Sequence, residues 1–164
     1  MEINLRDIQP ADKTFLFTVY ASTRADEMAL VDWTLQAKRA FLQMQFEAQD
    51  RYYKETYQGA QYQITEWEGK PVGRLYVHRR KNEIRIMDIA LLPEFRNHGI
   101  GSTLLEQILE EGRNRNLPVT IHVERFNPAL HLYERLGFRQ IEDKGVYLLM
   151  ECAPMIMEKN ESAR

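Results

Sequence analysis

Six residues, "RNHGIG" from Arg96 to Gly101, constrain this chain more than any other stretch. They follow an apolar run, "EIRIMDIALLP" (83–93), and open "IGSTLLEQILEEG" (100–112), where Ile100, Leu104, Leu105, Ile108 and Leu109 recur at helical spacing. Glycines at a strand-to-helix junction leave backbone N–H groups without a covering Cβ, where a helix has amides lacking intrahelical partners and the positive end of its dipole. That arrangement suits an anion, and Arg96 adds a charge-assisted donor. A dinucleotide fingerprint would need a third glycine where Leu104 stands, and a P-loop would need a lysine ahead of Ser102 and Thr103. Taken alone, the two glycines favour the plainer reading, a βα turn with a glycine-rich cap.

Periodicity supplies the remaining elements. "EINL" (2–5) reads as an opening strand, and "ADKTFLFTVYAS" (11–22) as a helix with Asp12 as N-cap and Phe15, Leu16, Val19 and Tyr20 at helical spacing. "TRADEMALVD" (23–32) reads as a loop. A longer helix is expected from Thr34 to Tyr57, capped by Asp32, with Trp33, Ala37, Phe41, Met44 and Ala48 on its buried side. After Gly59 the period becomes two: a hairpin turns at "EGK" (68–70), and "KN" (81–82) leads into the strand before the glycine turn. There Ile84, Ile86, Asp88 and Ala90 alternate with Arg85, Met87, Ile89 and Leu91, and the pair Leu91–Leu92 permits a bulge.

Asn116 and Pro118 stop the next helix, and "VTIHVE" (119–124) is a strand. "NPALHLYERLG" (127–137) is a helix with Asn127 as N-cap, Pro128 in its first turn and Gly137 past its end. "FRQIED" and "VYLLMEC" form a last hairpin. A helix between the fourth and fifth strands implies a right-handed crossover and a parallel pair. The expected fold is mixed α/β (α+β): one mixed sheet of about seven strands flanked by four helices, residues 1–152 as a single domain and 153–164 as a flexible tail.

Composition narrows the function. With 22 Lys and Arg against 24 Asp and Glu, the net charge of -2 offers no basic surplus for nucleic acid, and "HRRK" (78–81) reads as a solvated hairpin end. Cys152 is the single cysteine, so an intramolecular disulfide is impossible. The first residues lack the apolar core of a signal peptide, and no apolar run approaches the ~20 residues that span a bilayer. A cytoplasmic protein without nucleic-acid or membrane partners is expected.

Three elements in order, "IALLP", "EFRNHGIGSTLLEQIL" and "VERFNPALHLYERLGF", resemble the GNAT superfamily of N-acetyltransferases. Arg96, Gly99 and Gly101 match its Arg/Gln-x-x-Gly-x-Gly/Ala signature, and Asn127, Ala129, Tyr133, Gly137 and Phe138 match its second helix. The likeness is specific over about 71–150; Asn127 lies six residues before Tyr133 where many relatives have seven.

The resemblance implies a GNAT-like sheet splayed between strands four and five, with acetyl-CoA as co-substrate and no metal. Backbone of Ile89, Ala90 and Leu91 would pair with the pantetheine arm, and Leu91 N–H would face the developing oxyanion. Amides of Asn97, His98, Gly99, Ile100, Gly101 and Ser102, beside Arg96, would hold the pyrophosphate, with Asn127 on the other wall. The His98 side chain occupies a variable motif position and reads as a solvent-exposed loop residue.

An amine attacks a thioester only when neutral, so a base must take its proton. Tyr133 matches the family tyrosine aimed at sulfur, as general acid. Two residues are candidates for the base. Glu83, thirteen residues before Arg96, resembles the glutamate of histone-acetylating members; His122, five before Asn127, resembles the glutamate position of members acetylating ribosomal-protein N-termini. Asp88 reads as hydrogen-bonded within the sheet, Glu124 as solvent-facing, and a water chain is a further route. Gln43, Gln45, Gln49, Tyr52, Tyr53 and Tyr57 read as a solvated helix face or an acceptor wall. The expected partner is a small-molecule or peptide amine, and the chain a monomer or homodimer. A non-catalytic acyl-CoA-binding or regulatory module is the alternative.

Overall fold

Apolar alternation and helical spacing become twelve elements in the computed structural model, which describes residues 2–154. Of the expected tail, 155–164 lie outside the described residues. In chain order the elements are β1 (Ile3–Asp7), α1 (Lys13–Thr23), α2 (Ala25–Ala29), α3 (Leu35–Thr56), β2 (Gln61–Trp67), β3 (Lys70–Arg79), β4 (Ile84–Leu91), α4 (Ile100–Arg115), β5 (Val119–Glu124), α5 (Leu130–Arg135), β6 (Arg139–Asp143) and β7 (Tyr147–Cys152). Short 3-10 turns cover Pro10–Asp12 and Pro93–Phe95.

The seven strands form one mixed sheet in the order β1-β2-β3-β4-β5-β7-β6. β4 and β5 are parallel, with Ile84 opposite Val119 and Ile86 opposite Ile121, as a helical crossover requires. β7 runs antiparallel to both β5 and β6. The β2–β3 hairpin turns on Glu68 and Gly69, whose φ values of 53° and 80° are the hand that two-residue hairpin loops need. Five helices stand where four were expected. The extra one, α2, folds within the segment read as a loop, because Met28 packs on the core beside α1.

The chain groups into two compact units. The first comprises Met1–Tyr76 and Asp88–Ile100. Its core joins Leu16, Phe17 and Tyr20 of α1, Leu42 and Phe46 of α3, and Ile64 of β2. The buried face of α3 differs from the expected one: Trp33 is 47% and Met44 60% exposed, while Leu42 and Phe46 face inward. Thr34, rather than Asp32, caps α3, its hydroxyl accepting from Ala37 N at 3.0 Å. Asp12 takes Gln9 N and the Arg6 guanidinium instead of capping α1.

The second unit comprises Val77–Met87 and, of the described residues, 101–154. Both of its helices end in the same hydrogen-bonded turn. After α4, Asn116 adopts φ 56°, Asn116 N donates to Arg113 O and Leu117 N to Gly112 O. After α5, Gly137 adopts φ 107°, Gly137 N donates to Glu134 O and Phe138 N to Tyr133 O. These paired bonds define the Schellman C-cap. α5 starts later than expected, at Leu130: Asn127 Oδ1 accepts from Ala129 N at 2.8 Å and caps the turn before the helix.

Candidate functional site

The strand-to-helix junction is built from three supports in the first unit. Leu92 N donates to Val72 O at 2.9 Å, tying the end of β4 to β3. Arg96 Nε donates to Leu91 O at 3.0 Å and Nη2 reaches Ser22 Oγ at 3.4 Å, folding the turn back on the strand it leaves. Trp67 supports the turn with its ring, 5.9 Å from Phe95 and 5.4 Å from His98. His98 is exposed, as expected, yet its Nδ1 lies 2.9 Å from Arg96 O. Asn97 and Gly99 take φ of 63° and 85°, and α4 begins one residue later.

This junction has the backbone geometry that suits an anion. Open space lies beside Gly101, where an added Cβ would meet nothing within 4 Å. The left-handed residues Asn97 and Gly99 and the start of α4 are the backbone features that aim N–H groups at an anion. Ile89, Ala90 and Leu91 form the half-buried end of β4 just upstream.

Sequence reasoning missed two neighbours, Gly73 and Arg74. A Cβ on Gly73 would lie 2.2 Å from Ala90 O and 2.8 Å from Leu91 Cδ2, so β3 meets the end of β4 only because residue 73 has no side chain. Arg74 is 3% exposed; its Nη2 donates to Asp88 Oδ2 at 2.5 Å and Gln49 Oε1 at 2.8 Å. Tyr53 O–H donates to the same Asp88 oxygen at 3.0 Å. Asp88 therefore bonds within the sheet, as expected, and also to α3. Burial works against the Arg74 charge, but Asp88 holds it above its ordinary value. Burial pushes the Tyr53 phenol well above the usual range and that of Tyr76 up to about 12. The legible signal was "PVGRLY": a glycine inside a strand marks close backbone approach, and an arginine in register with Val72 and Tyr76 needs a buried acceptor.

In the second unit, Glu83 and His122 belong to one polar cluster. Glu83 Oε2 receives Arg80 at 2.5 Å and Arg85 at 3.4 Å, and Oε1 receives the Thr120 hydroxyl at 2.8 Å. Burial favours a neutral Glu83, yet the Thr120 bond, Arg85 and Arg80 outweigh it and hold its carboxyl below the ordinary range. His122 is half-buried, and its ring nitrogens have no hydrogen-bond partner among the described residues. Burial, then Arg85 and Lys144, lower its proton affinity against the weaker pull of Glu142 and Glu83.

Tyr133 is buried, its ring 5.7 Å from Phe138 and nearly perpendicular at 72°. That pair is the apolar contact accompanying a Schellman cap, so the Tyr-x-x-x-Gly-Phe pattern has a physical cause: Gly137 lets the chain reverse and Phe138 fixes the Tyr133 ring. Among the described residues no group of three or more His, Cys, Asp and Glu could hold a metal ion, and no helix is long and apolar enough to cross a membrane.

The model of the acetyltransferase (GNAT) family matches residues 27–138, well over half of the 164-residue chain. This chain belongs to the GNAT family. No curated protein matches it in sequence. Its GNAT fold is shared with solved structures of low identity. The PaiA N-acetyltransferase of Thermoplasma acidophilum, solved with coenzyme A, is 16% identical over 93% of this chain and 99% of that one, with a TM-score of 0.69. The ribosomal-protein-S18-alanine N-acetyltransferase of Escherichia coli is 17% identical over 94% and 96%, with a TM-score of 0.62. Ard1 of Thermoplasma volcanium is 19% identical over 94% and 99%, with a TM-score of 0.60. The GNAT match takes in both the glycine turn and the Tyr133–Phe138 cap.

Proposed function

We propose that this GNAT protein transfers an acetyl group from acetyl-CoA to a primary amine by direct attack in a ternary complex. The observation carrying this reading is the turn from Arg96 to Ser102, with left-handed backbone at Asn97 and Gly99 and open space at Gly101. When bound, acetyl-CoA supplies the acetyl group as a thioester.

The backbone of Ile89, Ala90 and Leu91 receives the pantetheine arm as a sheet edge receives a strand. Amides from Asn97 to Ser102, including those of His98 and Ile100, hold the pyrophosphate beside Arg96. Asn127 contributes through its side-chain NH2, because its Oδ1 is engaged by Ala129 N. Leu91 N–H stabilises charge on the carbonyl oxygen.

His122 takes the proton of the attacking amine. It is kept neutral by burial and by Arg85 and Lys144, with its ring nitrogens unengaged among the described residues. Glu83 is the second candidate; its carboxylate is held by Arg80, Arg85 and Thr120, which suits positioning better than proton uptake. Tyr133 protonates the departing thiolate, a modest demand for a thiol of pKa near ~8.5.

Calorimetry with acetyl-CoA and thiol release across a panel of small-molecule and peptide amines test the reading. Absence of acetyl-CoA binding refutes it; binding without thiol release for any amine leaves a non-catalytic acyl-CoA module. The pH–rate profile separates the bases. His122 predicts a rate that falls as the pH drops through a value below the ordinary histidine range, whereas Glu83 predicts no such limb until the carboxylate range.

A further inference from the structure

Asp88 is a carboxylate held on one side only. Its Oδ2 accepts both Arg74 Nη2, at 2.5 Å, and Tyr53 O–H, at 3.0 Å. Its Oδ1 accepts no hydrogen bond among the described residues, and 15% of the side chain remains exposed. Arg74 cannot swing aside. Its second acceptor is Gln49, and its guanidinium sits 4.8 Å from the centre of the Tyr76 ring. An Arg–carboxylate pair that serves packing alone gains most by closing both oxygens in a bidentate fork. Here the second oxygen is left without a partner among the described residues.

The surroundings favour a cation. Tyr53 lies edge-on to Tyr76 at 5.8 Å and to Tyr57 at 6.2 Å, so aromatic rings border the carboxylate. A carboxylate oxygen that still lacks a donor, bordered by aromatic rings, suits an ammonium, whose N–H groups are all donors. The next three residues in the chain, Ile89, Ala90 and Leu91, are those assigned to the acyl donor.

We infer that Asp88 Oδ1 is the anchor for the acceptor, taking one N–H of an aliphatic amine that arrives as a cation. The inference rests on the acetyl-transfer reading. Asp88 breaks no bond: the ammonium binds through one N–H, loses a second proton to the base so that its nitrogen can attack, and loses the third to solvent as the thiolate departs, leaving the N–H of the product amide on Oδ1. Arg74, Tyr53 and Gln49 act as positioning residues that fix the orientation of the carboxylate. The acceptor class is therefore cationic aliphatic amines, ahead of neutral aryl amines.

The test is Asp88→Asn assayed with the best acceptor of the amine panel. The expected result is an acceptor KM raised about tenfold or more, as for a lost hydrogen bond to a charged group, with the acetyl-CoA Kd within about twofold of wild type. An acceptor KM within about twofold of wild type overturns the inference while leaving acetyl transfer standing. Wild-type crystals soaked in n-butylamine without coenzyme A give an answer that depends neither on folding of the variant nor on turnover. A nitrogen within hydrogen-bond reach of Asp88 Oδ1 supports the anchor, and an empty Oδ1 refutes it.

Discussion

A single methyl group at residue 73 would sit 2.2 Å from Ala90 O, well inside van der Waals contact, and that oxygen belongs to backbone that cannot rotate away. Gly73→Ala is expected to cost about 1–3 kcal/mol in urea unfolding, as overpacking does, and to weaken acetyl-CoA binding by displacing Ala90 and Leu91. Glu83 carries a different residue-scale consequence. Its carboxyl titrates below the ordinary value of 4.5 because Thr120, Arg85 and Arg80 together outweigh burial. A depressed folded value means that its stabilising contribution is complete above 4.5 and disappears as the pH falls through the lower, folded one. Denaturation of Glu83→Gln should therefore show less loss of stability than wild type when the pH is lowered from about 5 to about 3. Equal losses would separate Glu83 from the acid response.

Helix ends decide where the functional side chains stand. α5 has only six residues, too few to hold its own shape in water, so its C-terminal turn and packing must fix it. Gly137 at φ 107° makes that turn possible, and a Cβ there would also press on Cys152 Sγ at 3.3 Å. Replacing Gly137 with Ala should lower stability by about 1–2 kcal/mol, the cost of a left-handed L-residue. If Tyr133 acts on the leaving group, the same change should lower kcat more than it alters the acetyl-CoA Kd. At the start of α4 the backbone demand is the same, and the proposed purpose is a ligand. Gly99 at φ 85° is placed among the amides proposed to hold phosphate.

For the whole molecule, the binding proposed at that turn would couple the ligand to unfolding. Acetyl-CoA at about a hundred times its Kd should stabilise the wild type by about 2.7 kcal/mol, a rise in Tm of about 5–10 °C in a thermal melt. Gly99→Glu puts a carboxylate where the pyrophosphate would lie, so its melt should not respond to the ligand. An equal shift in the variant would move the binding site elsewhere. The hairpins and the α4 crossover were legible because alternation, helical spacing and turn residues act over a few positions, whereas the place of β7 between β5 and β6 was not. The inward face of α3 was not. Counting apolar residues selected Trp33, Phe41 and Met44, whereas the face turned to the core carries Leu42 and Phe46 and continues through Gln49 and Tyr53.

By itself the sequence determined the elements other than α2, the glycine turn at Arg96–Gly101, the stop at Gly137 and the family, since each is a demand of local backbone on a few neighbouring residues. Tertiary structure alone decided that half-buried Gln49 and Tyr53 partner Arg74 and Asp88, that Gly73 must lack a side chain, and that Asp88 is clamped on one oxygen and open on the other. The physical reason is that a polar group is stable in the interior only with a partner, and Arg74 finds Gln49 and Asp88 at separations of 25 and 14 residues, beyond the reach of any local period.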